Sequence, residues 1–148
     1  MPNSAKNFFT PEQQDDIKQA ILNAELNTSG EIRVHIQKKC KGDILDRAAH
    51  IFKSIGMDKT NAKNGVLFYV AIENRSFAIL GDSGINAVVP ADFWESTKML
   101  MINHFREGRF AEGIVAGIEK AGEQLKEHFP YQRDDVNELN DDISFDSN

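Results

Sequence analysis

Two acidic side chains stand in glycine-flanked polar stretches suited to holding a ligand. Glu31 closes Thr28-Ser29-Gly30-Glu31, and Asp82 opens the loop within Gly81-Asp82-Ser83-Gly84-Ile85-Asn86. A further polar stretch ends in Asn64-Gly65. Carboxylates, amides, hydroxyls and glycine carbonyls form an oxygen-rich, sulfur-free donor set for a hard cation such as calcium or magnesium. Two carboxylates brought together repel, and a cation relieves the repulsion. Glycine lets backbone approach a ligand closely. The candidate ligands are Glu31, Asn64, Asp82 and Asn86. The same residues also suit ordinary turns, with the glycines reversing the chain, Asp82 capping locally and Glu31 solvated.

Other chemistries find weaker footing. Cys40 is the single cysteine, which excludes an intramolecular disulfide and a four-cysteine zinc site. It lies between Lys39 and Lys41 and reads as a surface thiol. His35, His50, His104 and His128 show no ligand spacing, and His35 reads as an exposed strand residue. Ser29 and Ser83 lack a nucleophile-elbow context. Gly81 to Gly84 is too short for a Walker loop, and no glycine-lysine-serine follows. The acids from Asp134 to Asp146 lack the glycine-centred EF-hand loop.

The elements that must position the four ligands follow from periodicity. Thr10-Pro11-Glu12-Gln13 is a helix start, with Thr10 as cap and Gln13 three residues on. Ile17, Ala20, Ile21 and Ala24 follow at helical spacing. Glu31 to Gln37 alternates strictly, predicting a strand that buries Ile32, Val34 and Ile36 and exposes the other face. Asp43 opens a second helix that Gly56 closes. Asp58 to Asn64 is a polar loop, and Val66 to Ile72 is an unbroken apolar run, a central strand covered on both faces. Ser76 to Leu80 returns after a short turn, which forces antiparallel pairing. Helices follow from Phe93 to Phe105 and from Phe110 to Leu125, where Gly113, Gly117 and Gly122 predict close packing.

The order is helix, strand, helix, strand, strand, helix, helix. A strand–helix–strand unit makes the first two strands parallel. Their beginnings, with Ser29-Gly30-Glu31 and Asn64-Gly65, then share one sheet end, and the third strand delivers Asp82 there. Ligands in open α/β sheets usually sit at the opposite, carboxyl end. That end offers Lys41, Asp43, Glu73 and Asn74 as a rival cluster. An α/β domain with helices on both faces of a small mixed sheet is the simplest packing.

The 148 residues fit one domain, read as 1–130 with an acidic tail over 131–148. The net charge is −6, of which −5 falls in the tail, leaving a near-neutral body. That balance argues against nucleic acid and against anionic lipid. No apolar run approaches a membrane span, and no secretory apolar stretch opens the chain, so the expected location is the cytoplasm. The tail reads either as a solvated terminus or as a cation-binding or docking strap, the latter because it carries Leu139, Ile143 and Phe145.

At these same segments the chain resembles the TPM-domain family. The resemblance rests on Thr28 to Val34, Asn64 to Leu67 and Gly81 to Asn86, with support from Arg47-Ala48, Trp94 and Phe110 to Gly113, and spans roughly residues 8–129. It implies a three-layer α/β/α sandwich and association with divalent cations, calcium above all. Family members include a thylakoid-lumen protein credited with acid phosphatase activity, photosystem repair factors and a receptor modulator in animals. Many carry a signal and a membrane anchor. This sequence shows neither, and is similar to the short soluble bacterial members. By motif match, Glu31, Asn64 and Asp82 are the positions carried over. The implied function is a soluble calcium-binding accessory or protein-interaction module. The alternative is a metal-assisted acid phosphatase on phosphomonoesters, for which Lys63 and Arg33 are the nearby phosphate-binding candidates.

Overall fold

The computed structural model describes residues 8–131 and 143–145. Helix α1 (Pro11–Glu25) begins with a reciprocal capping box: the Gln13 amide donates to Thr10 Oγ1 at 3.1 Å, and the Thr10 amide donates to Gln13 Oε1 at 2.9 Å. Strand β1 (Glu31–Gln37) follows, then α2 (Ile44–Ser54), capped by the Asp43 carboxylate accepting from the Asp46 amide at 3.0 Å. A short 3₁₀ turn (Met57–Lys59) leads to β2 (Gly65–Ala71) and β3 (Ser76–Gly81). The one-turn helix α3 (Ser83–Asn86), α4 (Glu95–Arg106) and α5 (Phe110–Lys126) come next. A two-residue strand, β4 (Ser144–Phe145), ends the described chain.

The sheet order is β3-β2-β1-β4. Strands β1 and β2 are parallel, with Glu31 opposite Gly65 and Gln37 opposite Ala71. Strand β3 runs antiparallel to β2, with Gly81 opposite Val66. Strand β4 lies parallel on the other edge of β1, Ser144 opposite His35 and Phe145 opposite Ile36.

Alternation assigns each strand residue to a layer. Ile32, Val34, Ile36, Val66, Phe68 and Val70 pack with α1, α4 and α5. Leu67, Tyr69, Ala71 and Ala78 pack with α2. The result is the expected three-layer α/β/α sandwich around a small mixed sheet. The expected crowding along α5 is present. A Cβ on Gly113 would lie 2.6 Å from the Phe105 ring, on Gly117 2.6 Å from Met101 Sδ, and on Gly122 2.9 Å from Ala24 Cβ. Only hydrogen side chains let α5 sit this close to α4 and α1.

Two expectations fail on the second face of β1. Arg33, His35 and Gln37 are buried rather than solvated; α2 reaches that face through Arg47, and β4 covers the edge. Each finds a partner, as buried polar groups must. Gln37 Oε1 accepts from the Tyr69 hydroxyl and from Arg47 Nε. His35 Nδ1 lies 2.6 Å from Ser144 Oγ, and its ring stacks on Tyr69. Cys40 is likewise buried, not a surface thiol. Asn74 clamps it, accepting from the Cys40 amide and donating to the Cys40 carbonyl, both at 2.9 Å. Burial pushes the Tyr69 phenol well above its usual range, and the neighbouring Cys40 adds to the shift.

Among the described residues no helix is long and apolar enough to cross a membrane. Ile143 and Phe145 pack against the main core, while Leu139 and the six tail acids lie outside the described residues.

Candidate functional site

Strand direction brings the three polar stretches to one end of the sheet. The Glu31 amide donates to the Asn64 carbonyl at 3.1 Å, and the Asp82 amide donates to the Gly65 carbonyl at 2.9 Å. Glu31 and Asp82 therefore flank Gly65 on either side. Across two strand spacings of ~4.8 Å, their backbones stand roughly 10 Å apart.

The Asn64–Asp82 side is built tightly. The Gly84 amide donates to the Lys63 carbonyl at 2.8 Å. A Cβ on Gly84 would fall 2.3 Å from the Ala62 carbonyl oxygen and 2.5 Å from that of Lys63. Glycine at this position is what lets the two loops meet. The Asn64 amide group donates to the Ser29 carbonyl at 2.9 Å, tying the starts of β1 and β2 together. That bond turns Asn64 Oδ1 away from Ser29. Asp82 uses Oδ1 to cap α3, accepting from the Ser83 amide at 2.7 Å. Asn86 donates to the Gly81 carbonyl at 3.0 Å and is exposed.

This arrangement leaves two shielded acceptor oxygens, Asn64 Oδ1 and Asp82 Oδ2, that accept no hydrogen bond from any described group. Asn64 is only 5 % exposed. A buried acceptor without a donor costs ~1–3 kcal/mol. Asp58 Oδ1, in the loop that Gly84 touches, is shielded and unpartnered in the same way. Periodicity left Asp58 in a polar loop, and no motif marked it. Its signal was an acid six residues before the Asn64-Gly65 pair that opens β2.

Glu31 is in a different situation. It is buried, and its Oε1 lies 4.0 Å from Arg33 Nη2. Arg33 Nη1 also pairs with Glu25 Oε2 at 3.1 Å. Met57 fills the space over Gly65, since a Cβ there would meet both its Cε and its carbonyl at 3.2 Å. Met57 thus stands between Glu31 and Asp82, and an arginine already offsets the Glu31 charge.

The donor chemistry of the Asn64–Asp82 side fits a hard cation: carboxylate and amide oxygens with no sulfur. No three His, Cys, Asp or Glu side chains among the described residues are gathered closely enough to hold a metal by themselves. Amide and backbone oxygens and water would have to complete the shell. The two nearby cations are committed elsewhere. Lys63 Nζ donates to the Asp58 carbonyl at 2.6 Å, and Arg33 is held by glutamates. The rival cluster at the far end is structural: Asn74 clamps Cys40, and Glu73 lies 3.8 Å from Lys38.

The BA42 protein of the psychrophilic bacterium Bizionia argentinensis is 48% identical, with 94% of this chain and 96% of that chain covered at a TM-score of 0.90. The N-terminal domain of a Porphyromonas protein, from P. gingivalis, shares the fold at 19% identity, 84% and 82% coverage and a TM-score of 0.68. The N-terminal domain of a Corynebacterium glutamicum protein does so at 13% identity, 95% and 81% coverage and a TM-score of 0.62. No curated protein matches the chain. The TPM domain matches residues 3–124, across the whole of the sheet end just described. On that match and the BA42 likeness, the chain belongs to the TPM-domain family.

Proposed function

We propose that this chain is a divalent-cation-binding module that takes calcium at the amino end of its sheet. Asn64 and Asp82 supply the central ligands and Asn86 lies at the exposed rim, while Glu31 stays beside Arg33 with Met57 between it and Asp82. The carrying observation is the pair of shielded oxygens, Asn64 Oδ1 and Asp82 Oδ2, that accept no hydrogen bond. A cation would supply the partner that each of these oxygens lacks. Calcium suits the set better than magnesium, because it accepts many oxygen ligands in flexible geometry, whereas magnesium demands a near-ideal octahedron. Bound calcium would cross-link the loop before β2 to the turn after β3. We assign the module an accessory role, presenting its calcium-ordered loops to a protein partner.

The phosphatase reading is the weaker one. When bound, the cation would polarise a phosphoryl oxygen and activate a water. Lys63 and Arg33, the side chains that would hold a phosphate beside it, are engaged with the Asp58 carbonyl and with glutamates.

Thermal unfolding in calcium and in chelator tests the proposal. At ~100 times the dissociation constant, a ligand that binds only the folded state adds ~2.7 kcal/mol. The wild type gains that stability and Asp82→Asn does not. Equal midpoints with and without millimolar calcium would remove the proposal. Phosphomonoester turnover that vanishes in Asp82→Ala would instead favour the phosphatase.

A further inference from the structure

The opposite end of the sheet holds a cavity of about 440 Å³ that touches none of the cation-site residues. It lies where β2 ends, the carboxyl end of a parallel strand, which is the usual ligand position in α/β sheets. Its size falls within the ~300–1,000 Å³ of small-molecule pockets. Phe9, Phe77, Phe105 and Phe110 form much of the wall, with Phe77 edge-on to Phe105 at 5.3 Å and Phe105 stacked on Phe110 at 5.6 Å.

Two arginines line this apolar space, Arg75 and Arg106, both exposed. Neither makes an ion pair with a described residue. The acids next to them in sequence are engaged elsewhere, Glu73 3.8 Å from Lys38 and Glu107 3.1 Å from Arg109. Arg75 is held at φ 51°, in the left-handed region where a side chain costs roughly 1–2 kcal/mol and glycine or asparagine is the easy occupant. The cavity thus joins aromatic walls to two arginines that no described acid pairs with.

We infer that this cavity binds an amphipathic carboxylate, a fatty-acid-type molecule with its hydrocarbon among the phenylalanines and its head group between Arg75 and Arg106. The walls, mostly aromatic and aliphatic, suit a hydrocarbon chain. The guanidiniums present planar forks that match a carboxylate and repel a cationic head. This site is independent of the calcium proposal, and either can fail alone.

The test is titration of the full chain with dodecanoate, below its micelle concentration and in chelator, followed by amide NMR shifts and calorimetry. Saturable one-to-one binding is expected, with shifts centred on Ile72, Ser76, Phe77 and Ile102. Arg75→Ala with Arg106→Ala weakens it at least about tenfold, or ~1.4 kcal/mol. These are exposed positions, so the double variant keeps its melting midpoint. Ile102→Trp, which fills the cavity, removes binding. Four outcomes would overturn the inference: no saturable binding, equal binding of dodecyltrimethylammonium, no effect of the arginine pair, or binding to anionic phospholipid vesicles without binding of monomeric dodecanoate.

Discussion

Gly84→Ala isolates the contact that assembles the proposed cation site. The added methyl would lie 2.3 Å from one backbone oxygen and 2.5 Å from another, and neither belongs to a side chain that can swing away. Either the 60–64 loop or α3 must move. Overpacking of this kind costs about 1–3 kcal/mol. Displacing the Gly84 amide from the Lys63 carbonyl adds the loss of one hydrogen bond, ~1 kcal/mol. Together that is about 2–4 kcal/mol, which at ~2–4 °C per kcal/mol lowers the melting midpoint by roughly 4–16 °C. Because the shift moves Asn64 relative to Asp82, calcium affinity falls as well. Gly108→Ala is the control. Its φ of 77° makes alanine strained, but nothing lies within 4 Å of the new methyl and it stands far from the site in sequence. It loses ~1–2 kcal/mol and leaves calcium affinity unchanged. Urea unfolding and calorimetric calcium titration of both variants provide the readout. A Gly84→Ala protein within ~0.5 kcal/mol of wild type would refute the argument that a backbone approach holds these loops together.

Asn64→Ala removes both the tie to Ser29 and the shielded oxygen, so it destabilises by ~1–3 kcal/mol even in chelator and also loses calcium binding, read by the same titrations. Ile118→Ala, at a fully buried position in α5, costs ~2–5 kcal/mol in urea unfolding without altering calcium affinity. Tyr69 holds its proton more tightly folded than unfolded, so its contribution is complete below the unfolded phenol's ~10 and is lost as pH rises past that value. In a Tyr131→Phe background, which leaves a single tyrosine, ultraviolet titration of the folded protein shows the phenolate forming only above pH ~10, and the Tyr69→Phe protein loses less stability over the same alkaline range.

The local signals in the sequence carried most of the sandwich. Thr10 and Gln13 cap α1 as their spacing implies, Val66 to Ala71 is the central strand, and the α5 glycines lie where α1 and α4 crowd in. The gathering of Glu31, Asn64 and Asp82 at one sheet end followed from strand direction alone, because a short β2–β3 turn leaves no other geometry. The failures came where the deciding partner was remote in sequence. His35 reads as solvated until Ser144 arrives from 109 residues away. A strand of two residues has no period by which to announce itself. Cys40 depends on Asn74, 34 residues on. Met57 over Gly65 and Arg33 beside Glu31 were hidden for the same reason: strand pairing tells which residues are neighbours, but not what fills the space between them. The aromatic cavity draws its walls from the residues before α1, from β2, β3, α4 and α5, so no single stretch of sequence contains it.

Amide NMR spectra recorded as calcium is added to chelated protein bear most directly on the proposed cation site. Saturable shifts confined to Asn64, Gly65, Asp82, Ser83, Gly84 and their neighbours, and absent in Asp82→Asn, are the predicted result. Spectra unchanged at millimolar calcium, or shifts gathered around Lys41, Asp43 and Glu73 at the other end of the sheet, would contradict it.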